Sequence, residues 1–138
     1  MSNLRKLKIG DEDQLKPLFK ILTGKEITID TGSLVVDPNS ICLILENTEN
    51  DIIGFGALII HKVPTKGEVA RIEDVVIAEN YQGKGFGKQI MEELINIAKE
   101  KNISQINLTS SPMRTAARKL YEKLGFIKGD TDVFYLKL

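Results

Sequence analysis

Gln82, Gly83, Lys84, Gly85, Phe86, Gly87 and Lys88 run in succession between the apolar stretch Val75-Val76-Ile77 and the helix-like stretch Ile90 to Lys99. These residue types at this spacing suit an anion that carries more than one phosphate. Glycine at alternate positions lets the backbone turn tightly and brings several N–H groups up to a ligand with no Cβ in the way. A helix that begins here aims its positive end and its unpaired N–H donors at the same place. Gln82 and Lys84 add side-chain donors, and Lys88 adds a second positive charge. A plain strand-to-helix linker would carry similar glycines, so the register of the surrounding residues has to discriminate.

Two common phosphate motifs fail that test. A P-loop ending at Gly87-Lys88 requires glycine where Gln82 stands, and Ser or Thr where Gln89 stands to bind Mg²⁺. A dinucleotide fingerprint needs its third glycine at Lys88 if it starts at Gly83, or at Ile90 if it starts at Gly85. The segment also lies mid-chain, after a hairpin rather than after a first parallel strand. ATP and NAD are therefore poor fits.

The string Gln82-x-x-Gly85-x-Gly87, just beyond Ile77, is similar to the acyl-CoA signature of the GNAT superfamily of N-acetyltransferases. Ala117-x-x-x-Tyr121-x-x-x-Gly125-Phe126 independently resembles that family's helix-and-strand segment near the acceptor thiol. The resemblance covers Ile52 to Leu138 in order, and the earlier part agrees only in its sequence of elements. It implies an acetyl-CoA-dependent N-acetyltransferase that acts on a small amine, or on an amine at a peptide terminus or lysine. Backbone groups of Val75, Val76 and Ile77, in a splayed bulge, would meet the pantetheine arm. Gln82, Gly83, Lys84, Gly85, Phe86, Gly87 and Lys88 would hold the pyrophosphate. Family members often carry Asn seven positions before the helix tyrosine, where this chain has Arg114. Arg114 either reaches a CoA phosphate or is a solvated residue at the helix start. The run Ile72-Glu73-Asp74-Val75-Val76 also resembles the strand of glucosamine 6-phosphate N-acetyltransferases, which adds an amino sugar to the acceptors. A homodimer is implied by the resemblance alone.

Direct transfer to an amine sets three chemical requirements. An alkylamine with a reference pKa near ~10 is only about one part in a thousand neutral at pH 7, so a base must take its proton. Donors must meet the developing oxyanion, and an acid must protonate the departing thiolate. Tyr121 is the candidate acid, because its hydroxyl donates and it stands at the family's tyrosine position; the alternative is a core aromatic on a buried helix face. Glu73 is the candidate base, with a water as relay, and Asp74 is its rival; strand alternation sends the two to opposite faces. A salt bridge from Glu73 to Arg71 or a nearby lysine is the competing role. A backbone N–H of Val75 to Ile77 would serve the oxyanion. His61 reads as a surface polar residue. No His, Cys or carboxylate set has metal-ligand spacing, so no metal is expected.

The positioning elements follow from periodicity. Leu4 to Ile9 alternates as a half-buried strand, and Asp11 stands as N-cap of a helix through Leu15, Leu18, Phe19 and Leu22 that Gly24 closes. Thr23 to Asn39 is least legible, with a short helix possible near Ser33 to Asp37. Ile41 to Glu46 and Ile52 to His61, joined by Asn47-Thr48-Glu49-Asn50-Asp51, form a hairpin, and Val69 to Ile77 adds a third antiparallel strand. A helix from Gly85 or Phe86 to Lys101, a strand Ile103 to Thr109, a helix opened by Ser111-Pro112 and reaching Leu124, and a closing strand Val133 to Leu138 complete the series. The expected fold is α/β in the layered, α+β sense: one domain over 1–138, with a mixed, mostly antiparallel central sheet flanked by helices.

Composition excludes several classes. Lys plus Arg and Asp plus Glu are 19 each, so no global field draws the protein onto nucleic acid or an anionic membrane. One cysteine, Cys42 in an apolar run, leaves no internal disulfide and fits a reducing, cytoplasmic setting. No run reaches the ~20 apolar residues of a membrane span. The competing classes are a non-catalytic CoA-binding regulatory module and a nucleotide-binding protein.

Overall fold

In a computed structural model that describes residues 2–138, the chain divides into two compact units, Met1–Leu108 and Thr109–Leu138. The first unit is built on a five-stranded sheet whose spatial order follows the chain: β1 (Asn3–Lys6), β2 (Ser40–Glu46), β3 (Ile52–Val63), β4 (Gly67–Ile77) and β5 (Ile106–Asn107). β1 to β4 pair antiparallel; short turns join β2 to β3 and β3 to β4, whereas two helices lie between β1 and β2. β5 joins β4 in parallel, which requires a crossover, and helix α3 (Phe86–Glu100) is that crossover.

Helices α1 (Glu12–Thr23) and α2 (Thr31–Val36) precede β2. Leu15, Leu18 and Phe19 of α1 share a buried cluster with Cys42, Ile44, Phe55, Ala57 and Val76 from three strands. Phe19 and Phe55 meet edge-on, 5.0 Å between centroids. Because side chains alternate along β3, Gly54 and Gly56 face away from this cluster, toward α3. A Cβ at Gly56 would lie 2.6 Å from Ile90 Cγ2, and one at Gly54 would lie 2.9 Å from Ile77 Cδ1. Glycine at these two positions is what lets α3 sit close against the sheet, with Ile90, Met91 and Leu94 fully buried.

Several local expectations are corrected. Asp11 occupies the N-cap position of α1 but does not cap with its side chain. Its carboxylate instead takes two bonds from Arg5, at 2.9 and 3.0 Å, and one from the Lys8 N–H at 2.8 Å. The short helix near Ser33 is present as α2, capped by Asp30 through the Ser33 N–H. The expected strand Ile103 to Thr109 shrinks to two residues, since Asn102 adopts a left-handed φ of 58° and the Ile103 N–H returns to Ala98.

In the second unit, helix α4 spans Thr115–Lys123 rather than starting at Ser111-Pro112. The Ser111 hydroxyl accepts the Met113 N–H and its carbonyl accepts the Arg114 N–H, so the chain makes a turn there first. Val133 to Leu138 forms no strand, and its alternation lacks the ladder partner that would order it; Phe134 is 91 % exposed.

Candidate active site

The glycine segment lies where the sequence puts it, between the end of β4 and the start of α3. A single 3₁₀ turn, Glu79–Tyr81, leads into it. Gly83 and Gly85 adopt φ of +75° and +88°, a region that costs L side chains about 1–2 kcal/mol, which is why glycine stands at both. An added Cβ at either would meet no atom within 4 Å, so both positions border open space. Gly85 is the N-cap of α3 and brings no side-chain cap. The first-turn N–H groups of Phe86, Gly87 and Lys88 are thus presented to a ligand or to water. No acidic residue stands in that first turn to compete with an anion. Gln82 does not reach into the loop; its Nε2 donates to the Ile77 carbonyl at 2.9 Å and ties the loop back to β4. Lys84 and Lys88 are both exposed.

β4 carries the expected irregularity, one step earlier than the family resemblance implies. Phe55 pairs with Val76 and Ala57 with Glu73, so Gly56 alone faces two residues, Asp74 and Val75. That is a β-bulge, and Asp74 takes a left-handed φ of 56° within it. Val76 and Ile77 stay in register with Phe55 and Gly54. On its other edge β4 pairs with β5 only at Ala70 and Arg71. From Ile72 to Ile77 that edge has no ladder partner among the described residues, and it leads directly into the glycine segment.

Glu73 lies just before the bulge and Asp74 within it. Glu73 accepts from Arg71 Nε at 2.9 Å, a half-exposed pair of the kind that contributes little to stability. Asp74 has no such partner among the described residues. Although the residue is exposed, loss of water around its carboxyl, and then the charge of Glu73, push that group above its ordinary value. Cys42 is buried, and burial followed by the charges of Asp74 and Asp37 pushes its thiol up to about 11, so it is no nucleophile at neutral pH. His61 is exposed on β3. Among the described residues no group of three or more His, Cys, Asp or Glu side chains could hold a metal ion, and no helix is long and apolar enough to cross a membrane.

Tyr121 and Arg114 belong to the second unit. Arg114 is the exposed N-cap of α4. Tyr121 closes the helix: the Phe126 N–H bonds its carbonyl at 2.9 Å, the Gly125 N–H bonds Glu122 at 3.0 Å, and Gly125 has φ of 97°. These are the two bonds of a Schellman motif, completed by the Tyr121 and Phe126 rings, 6.1 Å apart. The spacing of Tyr121, Gly125 and Phe126 therefore has a local mechanical cause, and it fixes the tyrosine's orientation within this unit.

Asn47 and Tyr81 escaped the sequence reading. Asn47 was legible only as turn chemistry, yet its Nδ2 donates to the Tyr81 hydroxyl at 3.1 Å, next to the loop. Nothing in the residue pattern signals a bond across 34 positions.

The family model described as "Acetyltransferase (GNAT) family" matches residues 11–126. The chain is 34% identical over 94 residues to the mycothiol acetyltransferase of Renibacterium salmoninarum, covering 67% of this chain and 28% of that one. Against the glucosamine 6-phosphate N-acetyltransferase of Candida albicans it is 29% identical over 139 residues, covering 94% of this chain and 91% of the other. A crystal structure of an acetyltransferase from Trypanosoma brucei superposes with a TM-score of 0.85 at 26% identity over the whole of both chains.

Proposed function

The chain belongs to the acetyltransferase (GNAT) family, and from that premise we propose that it transfers an acetyl group from acetyl-CoA to a primary amine by direct attack. One observation carries this reading: the edge of β4 from Ile72 to Ile77, without a ladder partner among the described residues, leads toward an open glycine segment that ends on the uncapped start of α3. A strand edge offers N–H and C=O groups to an amide-containing arm such as pantetheine. The loop and helix start offer donors to a diphosphate. Acetyl-CoA is made of those two parts in that order, with the acetyl thioester supplied at the far end of the arm.

In this scheme Gly83, Lys84, Gly85, Phe86, Gly87 and Lys88 bind the phosphates, while Gln82 braces the loop against Ile77. Val75, Val76 and Ile77 border the arm, and a backbone N–H there meets the developing oxyanion. Proton removal from the amine falls to the carboxylate pair at the bulge. Glu73 already has Arg71 as partner, whereas Asp74 has no such partner among the described residues and its carboxyl is pushed above its ordinary value by loss of water and then by the charge of Glu73, so Asp74 is the base this reading favours. For Tyr121 and Arg114, in the second unit, the family resemblance implies an acid for the departing thiolate and a positive charge for a CoA phosphate.

The acceptor class is an amine, and an amino sugar phosphate heads the panel because similarity to the Candida albicans enzyme extends over nearly all of both chains. The test is calorimetric titration with CoA, followed by thiol release from acetyl-CoA with glucosamine 6-phosphate, peptide amines and small alkylamines. Saturable CoA binding with amine-dependent thiol release is the expected result. Binding without turnover on any amine would leave a CoA-binding regulatory module. Stabilisation by ATP but not CoA would return the protein to the nucleotide binders.

A further inference from the structure

The phosphate-binding segment is the most flexible part of the site by composition, yet one of its neighbours is held from outside. Asn47 opens the β2–β3 turn, and its Oδ1 accepts the N–H groups of Glu49 and Asp51, both at 2.9 Å. Those two bonds fix which end of the amide faces the turn, so Nδ2 is the end left to donate. It donates to the Tyr81 hydroxyl at 3.1 Å. Asn47 is only partly buried, but its carbonyl oxygen, amide nitrogen and backbone are all engaged, the last with Asp51 and Asn50. It is therefore a rigid anchor.

Tyr81 passes that rigidity on. Its ring packs on Phe86, the first residue of α3, with centroids 6.0 Å apart, and Lys84 Nζ sits 5.7 Å from its centroid. One aromatic ring thus touches both the start of α3 and the lysine of the loop, while its hydroxyl is tied to the β2–β3 turn. Between Tyr81 and Phe86 the chain has Gly83 and Gly85 in left-handed conformations, where ordering the backbone costs about 1–2 kcal/mol per residue.

We propose that Asn47 and Tyr81 are a positioning pair for the diphosphate site: the Asn47 amide holds the Tyr81 hydroxyl so that the Tyr81 ring presents Lys84 and the first turn of α3 in one arrangement before ligand arrives. This rests on reading the glycine segment as the site for the CoA phosphates. The pair touches neither the acetyl group nor the amine, so its effect is on binding through the diphosphate, by lowering the ordering cost of the loop.

Tyr81→Phe keeps the ring and removes only the hydroxyl. KM and kcat are measured for acetyl-CoA and kcat/KM for S-acetylpantetheine, which lacks the diphosphate. The expected result is a rise of about threefold to tenfold in KM for acetyl-CoA, the scale of one lost hydrogen bond, with kcat and the S-acetylpantetheine kcat/KM unchanged. A purely structural role for the hydroxyl would weaken both thioesters alike. Equal loss on both, an unchanged acetyl-CoA KM, or a fall in kcat alone overturns the proposal. If the unmutated protein neither binds CoA nor releases thiol, the phosphate reading itself fails and the pair falls with it. Normal turnover by the unmutated protein with no response to Tyr81→Phe removes the pair alone.

Discussion

Single residues decide the chemistry, and four of them can be separated by what they touch. Gly85 stands in open space at φ +88°, so Gly85→Glu meets no atom of the protein within 4 Å of its Cβ; it strains the backbone and sets a negative charge in the anion cradle. Calorimetry should find CoA binding lost. At the bulge, Asp74→Asn should depress kcat strongly while Glu73→Gln leaves most of it, because Arg71 already occupies Glu73. As the Asp74 carboxyl lies above its ordinary value, the acidic limb of the wild-type pH–rate profile should be displaced upward from that of an ordinary aspartate, activity falling as pH drops through it. Equal loss in both variants would mean that the two act as one unit. Tyr121→Phe keeps the ring against Phe126 and the backbone bonds of the Schellman motif, so folding and CoA binding should persist while kcat falls. Unchanged turnover would leave Tyr121 a helix-closing residue and nothing more.

Elements carry the positioning, and here adjacent residues of one strand do opposite work. Phe55 and Ala57 fill the cluster under α1, while Gly54 and Gly56 make room for α3. Gly56→Ala would set a methyl 2.6 Å from Ile90 Cγ2, a branch that cannot swing aside, and overpacking of this kind costs about 1–3 kcal/mol. Urea unfolding should show that loss. CoA affinity should fall with it, because α3 would be pushed from the sheet whose edge it shares with the glycine segment. The glycine segment and its flanks were legible because strand, glycine run and helix follow one another within a few residues, and local chemistry sets each boundary. The start of α4 was not: Ser111 and Pro112 look like a helix opening, but the Ser111 hydroxyl spends itself on the Met113 N–H. Asp11 misled in the same way, since a cap-forming residue type took a stronger partner in Arg5.

At the scale of the whole sheet unit, stability depends on an ion network that joins its first strand to its first helix. Arg5 of β1 bonds Asp11 at the head of α1 and Glu46 at the end of β2, the latter at 3.2 Å. Burial opposes ionisation of Asp11, but the Arg5 guanidinium and the Lys8 N–H outweigh it and hold the carboxyl below its ordinary value. That contribution is present above the unfolded value of about 4 and is lost as pH falls through the lower folded value. Asp11→Asn should therefore lose about 1 to 3 kcal/mol at pH 7, and the gap from wild type should narrow in acid; denaturant titrations at pH 7 and pH 3 read both. A constant gap would assign the loss to packing. The sequence alone determined the order of elements from β1 to α4, the place of the glycine segment and the family resemblance, because those depend on neighbours along the chain: a glycine's φ, a helix start, an alternating strand. Only the tertiary structure decided where β4 bulges, which carboxylate Arg71 occupies, and that Asn47 reaches Tyr81. Those outcomes depend on which strands lie side by side, and no residue pattern within one segment records its neighbour across the sheet.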